Sequence, residues 1–257
     1  MTRFRLVLEY HGTEFVGWQV QPNGRSVQGV LQAALAELLG HETHVAGSGR
    51  TDAGVHALGQ VAAFDTTAER TERAVMKGLN SLLPPDVACL AADVVDPDFD
   101  PRRQARRKLY RYTFLERPAR SPMLADRVWH LGHTLDVERM HEAARLVIGR
   151  HDFASFRAAG CASTHPIRTV EDARVRREGD LVYFEIVGNG FLRHMVRILA
   201  GTLYSVGTRK IDVAGFQRIL SAADRKHLGK TAPPQGLTLV YVEYVGGEAP
   251  SDDEQDD

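Results

Sequence analysis

The stretch Gly47-Ser48-Gly49-Arg50-Thr51-Asp52-Ala53-Gly54-Val55-His56-Ala57 sets one carboxylate, two residues from an arginine, in a glycine-flanked turn. Three glycines within eight positions allow backbone angles and close approaches that side chains forbid. Residues 43–46 before the turn and 60–65 after it read as strand, so Asp52 is expected to protrude from a rigid sheet edge. There it can meet a bound ligand, and a nearby arginine keeps it ionised. A plain hairpin loop uses the same residue types, because Asp and Gly are ordinary turn residues. A phosphate-cradling loop fits less well, since no Lys-Ser or Lys-Thr follows the glycines. Asp52 also fills the slot where a dinucleotide fingerprint needs its third glycine.

Three further groups of residues carry chemistry. Residues 101–111 hold Arg102, Arg103, Arg106, Arg107, Lys108 and Arg111 with no acid among them. So dense a cluster suits a polyanion, or else a solvated connector between domains. Tyr110, Tyr112 and Phe114 follow at a spacing of two, which puts the rings on one face of a strand. Tyr112 and Phe114 are expected in the core; Tyr110, nearest the charge, is the candidate for an exposed ring that stacks on a nucleobase. Finally, Asn189-Gly190-Phe191-Leu192-Arg193-His194-Met195-Val196-Arg197 opens a helix after a strand, with Arg193 and Arg197 four apart on one face. Arg197, among Val196, Ile198 and Leu199, calls for a buried anionic partner. Asp52 is the natural one, and an ordinary structural ion pair is the alternative. Eleven histidines include the close pairs His41/His44 and His130/His133, but no carboxylate cluster completes either, so no metal site is expected.

At 257 residues, 43% hydrophobic and 25% charged, the chain has the composition of a soluble globular protein with one large domain or two small ones. Arg3, Arg5 and Glu9 break the first apolar stretch, so no signal peptide is expected, and no run reaches membrane-span length. Two cysteines, Cys89 and Cys161, fit a reducing cytoplasm better than a disulfide framework. The net charge of −1 conceals an asymmetry: residues 248–257 contain six acids and no base, leaving the rest of the chain net positive. That acidic tail is expected to be disordered and outside the fold.

Phe4, Leu6, Leu8 and Tyr10 alternate as a half-buried strand, and Val27, Val30, Leu31, Ala34, Leu35 and Leu38 recur at helical spacing up to Gly40. Two strands around the Asp52 turn, a helix over 71–82 stopped by Pro84-Pro85, and a strand over 87–95 complete a β-α-β-β-α-β order. The second half repeats it: strand 109–115, helix 137–148, strands 167–176 and 181–187, helices 191–204 and 213–222, and strand 237–244. The expected fold is α+β, two ferredoxin-like halves (1–105 and 106–247) with mainly antiparallel sheets backed by helices and a central basic cleft between them.

With these motifs in place, the chain resembles the tRNA pseudouridine synthase A family, the tRNA pseudouridine(38–40) synthases. The likeness covers nearly everything but the tail. It runs through Gly12-Thr13, Gly17-Trp18-Gln19, the 47–57 string with Gln60-Val61-Ala62, Tyr110-Arg111-Tyr112, His151-Asp152-Phe153, Ser155-Phe156-Arg157, Phe191 with His194-Met195-Val196-Arg197, and Gly236-Leu237. His11 stands where the family more often has Asp. The resemblance implies the pseudouridine synthase fold and Asp52 as nucleophile. It implies Tyr110 stacked on the target uracil, Arg197 paired with the carboxylate, Leu237 in the apolar wall and Arg50 near the flipped nucleotide. It further implies a homodimer without metal or organic cofactor that acts on the anticodon arm of tRNA. Arg102, Arg103, Arg106, Arg107, Lys108 and Arg193 are then expected to contact RNA. Two other classes remain on the residues alone: a catalytically silent RNA-binding protein, and an Asp-dependent nucleotide or glycoside hydrolase.

Overall fold

The computed structural model describes residues 1–158, 165–222 and 229–244; Cys161 and the acidic tail lie outside them. Along the chain run β1 (Thr2–Tyr10), α1 (Val27–Leu39), β2 (Ala46–Gly47), β3 (His56–Thr66), α2 (Glu72–Leu82) and β4 (Val87–Val95). Then follow β5 (Ala105–Leu115), β6 (Trp129–His130), α3 (Val137–Arg145), β7 (Gly149–Asp152), β8 (Ile167–Glu178) and β9 (Leu181–Gly188). The chain continues as α4 (Met195–Gly207), α5 (Val213–Ala222) and β10 (Leu237–Tyr244). Each half contains the expected β-α-β-β-α-β order, and the second adds the short strands β6 and β7 and one further helix.

Local chemistry sets the helix ends. Ser26 and Thr71 accept the backbone N–H groups of Gly29 and Ala74 as N-caps of α1 and α2. Helix α2 stops at Leu83, whose extended backbone is what the following proline demands.

The two half-sheets are continuous. Their strands form one ten-stranded sheet in the order β4-β1-β3-β10-β5-β9-β8-β7, with β2 beside β3 and β6 beside β5. Pairing is antiparallel except β5 with β6 and the joint itself, where β10 lies parallel to β3 through Thr238↔His56 and Leu239↔Ala57. Register carries one apolar face across that joint: Phe4 faces Phe64, Leu6 faces Ala62, Leu239 faces Tyr110, and Tyr110 faces Ile186. These residues and the inward faces of the helices make a single core, with Phe114, Phe153, Phe156, Phe184 and Phe216 fully buried. A smaller cluster of Val61, Ala63, Phe99 and Tyr244 covers part of the opposite face.

Several boundaries differ from the sequence expectation. The basic run is partly strand: β5 begins at Ala105, and Arg107 and Lys108 pair with Glu243 and Val242 of β10. Of the expected 43–46 strand only Ala46 joins the sheet, together with Gly47, and Thr43 meets β3 through its hydroxyl, which donates to the Asp65 carbonyl. Strand β7 escapes sequence analysis, for Gly149-Arg150-His151-Asp152 shows no apolar alternation. Helix α4 starts at Met195, since His194 adopts a left-handed φ of 61°. Arg193 therefore precedes the helix and does not share a helical face with Arg197.

Helix α4 lies so close to the segment before β10 that a side chain at Gly201 would overlap the Lys230 carbonyl. Gly201→Ala is expected to cost about 1–3 kcal/mol through overpacking. A thermal melt followed by circular dichroism should fall by several degrees.

Candidate active site

The 47–55 turn sits at the joint of the two half-sheets and is tied on all sides. Trp18 N donates to the Thr51 carbonyl at 3.1 Å, Gly54 N to Phe15 O at 3.3 Å, and Val55 N to Asp52 O at 3.2 Å. Buried Gln60 accepts from Ser48 Oγ at 2.7 Å and donates to Gly49 O at 3.0 Å. The Tyr10 hydroxyl meets Thr51 Oγ1 at 2.8 Å, and burial pushes that phenol up to about 12. Gly54 takes φ 76°, which a β-carbon would penalise. The turn is thus fixed, and Asp52 bridges to Gly17 within it.

Asp52 carries its carboxylate into a pocket of basic side chains. Oδ2 is 3.5 Å from Arg197 Nη1 and 3.5 Å from His194 Nε2, and the side chain is 26% exposed. Arg197 is aimed by its other contacts: Nε donates to Ala232 O at 2.9 Å, and its own carbonyl accepts from Ala232 N at 3.0 Å. Sequence analysis expected this carboxylate–guanidinium pairing. At 3.5 Å the pair is a charge contact without strong hydrogen bonds, so the carboxylate keeps lone pairs for a ligand. Burial lowers the His194 imidazole from its ordinary value, Asp52 opposes that, and Arg197 and Arg193 reinforce it. A neutral imidazole thus shares the carboxylate oxygen with a permanent cation. His194 had no sequence signal beyond its place in the His-Met-Val-Arg block; its left-handed backbone as helix cap turns it toward Asp52.

Tyr110 differs from the expectation of an exposed ring. Only 8% of it is accessible, and its ring stands edge-on against Phe191 with centroids 5.1 Å apart. Burial raises its phenol well above the usual range, and the charges of Tyr10 and Asp52 push the same way. No described residue hydrogen-bonds to its hydroxyl. Tyr112 and Phe114 are fully buried, as expected, and Tyr112 donates to Pro233 O at 2.8 Å. Leu237 is buried at the start of β10, opposite Tyr112 and two residues from the partner of Tyr110.

The basic run divides by strand geometry. Arg102, Arg103 and Arg106 are exposed, Arg103 being 3.7 Å from Asp100 and Arg106 3.8 Å from Glu243. Arg107 lies between Glu243 at 3.1 Å and Glu171 at 3.4 Å, which offsets its charge. Lys108 is buried and donates to the Ser48 carbonyl at 2.6 Å, so it does not present its ammonium at the surface. Arg50 and Arg193, in the two segments that supply Asp52 and Arg197, are exposed.

The model of the family described as tRNA pseudouridine synthase matches residues 6–102 and 143–245. The chain belongs to the tRNA pseudouridine synthase family. It is 50% identical over 248 residues to tRNA pseudouridine synthase A of Myxococcus xanthus, covering 96% of this chain and 94% of that one. The namesake of Citrifermentans bemidjiense is 48% identical, with 95% and 98% covered, and that of Geobacter sulfurreducens 46%, with 95% and 100%. A tRNA pseudouridine synthase is an isomerase, and the mainly antiparallel α+β sheet is the fold the resemblance implied. Among the described residues no helix is long and apolar enough to cross a membrane.

His56, the first residue of β3, makes this synthase's stability sensitive to acid. His56 Nδ1 accepts from Gly12 N at 3.0 Å, so Nε2 carries the proton toward Gln235 O at 3.1 Å, tying the segment after β1 to the approach of β10. Burial, then the charge of His11, whose ring lies tilted 4.6 Å away, lowers His56 to about 4 from 6.5. The folded state therefore binds fewer protons than the unfolded one. The contribution is full above about 6.5 and is lost as pH falls toward about 4. Urea midpoints should drop over that window, and His56→Gln should flatten the drop.

Proposed function

We propose that this synthase isomerises uridines 38, 39 and 40 in the anticodon stem-loop of tRNA, with Asp52 as nucleophile on a flipped nucleotide. The observation that carries the proposal is the Asp52 carboxylate, partly buried and facing Arg197 beside the Tyr110–Phe191 pair. The reaction breaks the bond from uracil N1 to the sugar, turns the base, joins C5 to the same carbon and releases the C5 proton to solvent while N1 takes one up. It involves no net oxidation and leaves the mass of the RNA unchanged.

A paired or stacked uridine hides these atoms, so the nucleotide is extruded at a cost of a few kcal/mol. Phosphate contacts from Arg102, Arg103, Arg106 and Arg193, and packing of the base beside Tyr110, offset that cost. Arg50, exposed in the turn, is suited to contact near the flipped nucleotide. Asp52 attacks through its carboxylate, beside the Arg197 guanidinium. Leu237 and Phe191 keep water from capturing the sugar while the base turns. Dimerisation and the anticodon-arm specificity come from the resemblance to the tRNA pseudouridine(38–40) synthases.

The proposal is tested with tRNA tritiated at uridine C5. Wild-type enzyme should release the label, and Asp52→Ala should release it more than roughly a thousandfold slower while binding tRNA normally. Near-normal turnover of Asp52→Ala would remove the nucleophile assignment, and free uracil among the products would favour a hydrolase. Separately, the combined Arg102→Ala, Arg103→Ala and Arg106→Ala variant should bind tRNA more weakly. Its plot of log affinity against log salt should be shallower by about 0.7–0.9 for each phosphate that the variant no longer neutralises.

A further inference from the structure

Lys108 is the one residue of the basic run whose placement conflicts with a surface role. The alternation that turns Tyr110, Tyr112 and Phe114 into the core turns Lys108 to the same face, where it is 9% exposed. Its ammonium ends at a backbone carbonyl, Ser48 O, at 2.6 Å. Burying an ammonium against a neutral acceptor is costly, and an apolar side chain of similar length would pack there at less cost. Burial accordingly lowers Lys108 to about 8, with the charge of Arg102 adding to the effect. Something other than stability has to account for the charge.

What Lys108 touches supplies the account. Three side chains from three strands hold the residues just before Asp52: Lys108 of β5 on Ser48 O, Gln60 of β3 on Gly49 O, and Tyr10 of β1 on the Thr51 hydroxyl. Gln60 also donates to Tyr10 at 3.4 Å, so two of the three are themselves linked. Of these three side chains Lys108 alone comes from the second half of the chain, from the strand that carries Tyr110. We propose that Lys108 is a positioning residue of the reaction, clamping the Ser48 carbonyl so that the Asp52 turn stays in register with Tyr110. The proposal rests on Asp52 being the reacting carboxylate. A misplacement of about 1 Å at such a site costs on the order of a hundredfold in rate.

The test uses full-length Lys108→Met, tritium release at saturating tRNA, tRNA affinity across a salt series, and a thermal melt. Turnover should fall roughly ten- to a hundredfold, with the tRNA dissociation constant and its salt slope unchanged. Loss of affinity with a shallower salt slope and normal turnover would overturn the proposal in favour of a phosphate contact; unchanged kinetics would overturn it outright. Gly49→Ala gives a second approach with no change of charge. Its methyl would lie 3.0 Å from Lys108 Nζ, so it should displace the ammonium and lower turnover several-fold at constant affinity. If Lys108→Met does not fold, this variant decides alone, and normal turnover refutes the clamp. Asp52→Ala run in parallel separates the two failures. An active Asp52→Ala condemns the nucleophile assignment, whereas an inactive one beside a normal Lys108→Met condemns only the clamp.

Discussion

A carboxylate from one half of the chain has to face a guanidinium from the other, 145 residues away, and much of the architecture serves that meeting. Asp52 leaves the first half in a turn; Arg197 rises on α4 from the second. Neither group reaches the other unless the two half-sheets share an edge, and the short parallel pairing of β10 with β3 provides it. The contact distance matters as much as the contact. A tight bidentate pair would saturate the carboxylate, whereas one nitrogen at 3.5 Å leaves it lone pairs with which to attack.

The turn itself is held by polar groups at positions that would otherwise be filled by apolar side chains. Gln60, Lys108 and Tyr10 are all buried, and each has its polar end directed at the turn. Such groups contribute little net stability, since their desolvation nearly offsets their hydrogen bonds. What they supply is geometry: side chains from three neighbouring regions of one sheet fix three residues of a loop. His56 extends the pattern to the other side of the joint, bonding Gly12 after β1 and Gln235 before β10 with its two ring nitrogens.

Much of this was legible in the residues. The glycine-flanked Asp52, the apolar setting of Arg197 and the alternation of Tyr112 with Phe114 each state a local physical demand, and the structure meets each one. Lys108 was legible too: carried two residues upstream, the same alternation places it inward, yet the density of charge around it suggests the surface. Charge density describes a stretch of chain, but strand geometry sorts its members one by one. The exposed ring expected at Tyr110 failed for a related reason, because Phe191, distant in sequence, covers it.

The sequence by itself determined the order of the elements, the turn that carries Asp52 and the family to which the chain belongs, because these follow from local spacing and residue type. Only the tertiary structure decided that the two sheets are one, that His194 stands beside Asp52, and that Arg107 and Lys108 face carboxylates and a carbonyl in place of solvent. Those outcomes depend on which strand edges pair and on a single left-handed residue ahead of α4, and neither leaves a periodic trace along the chain.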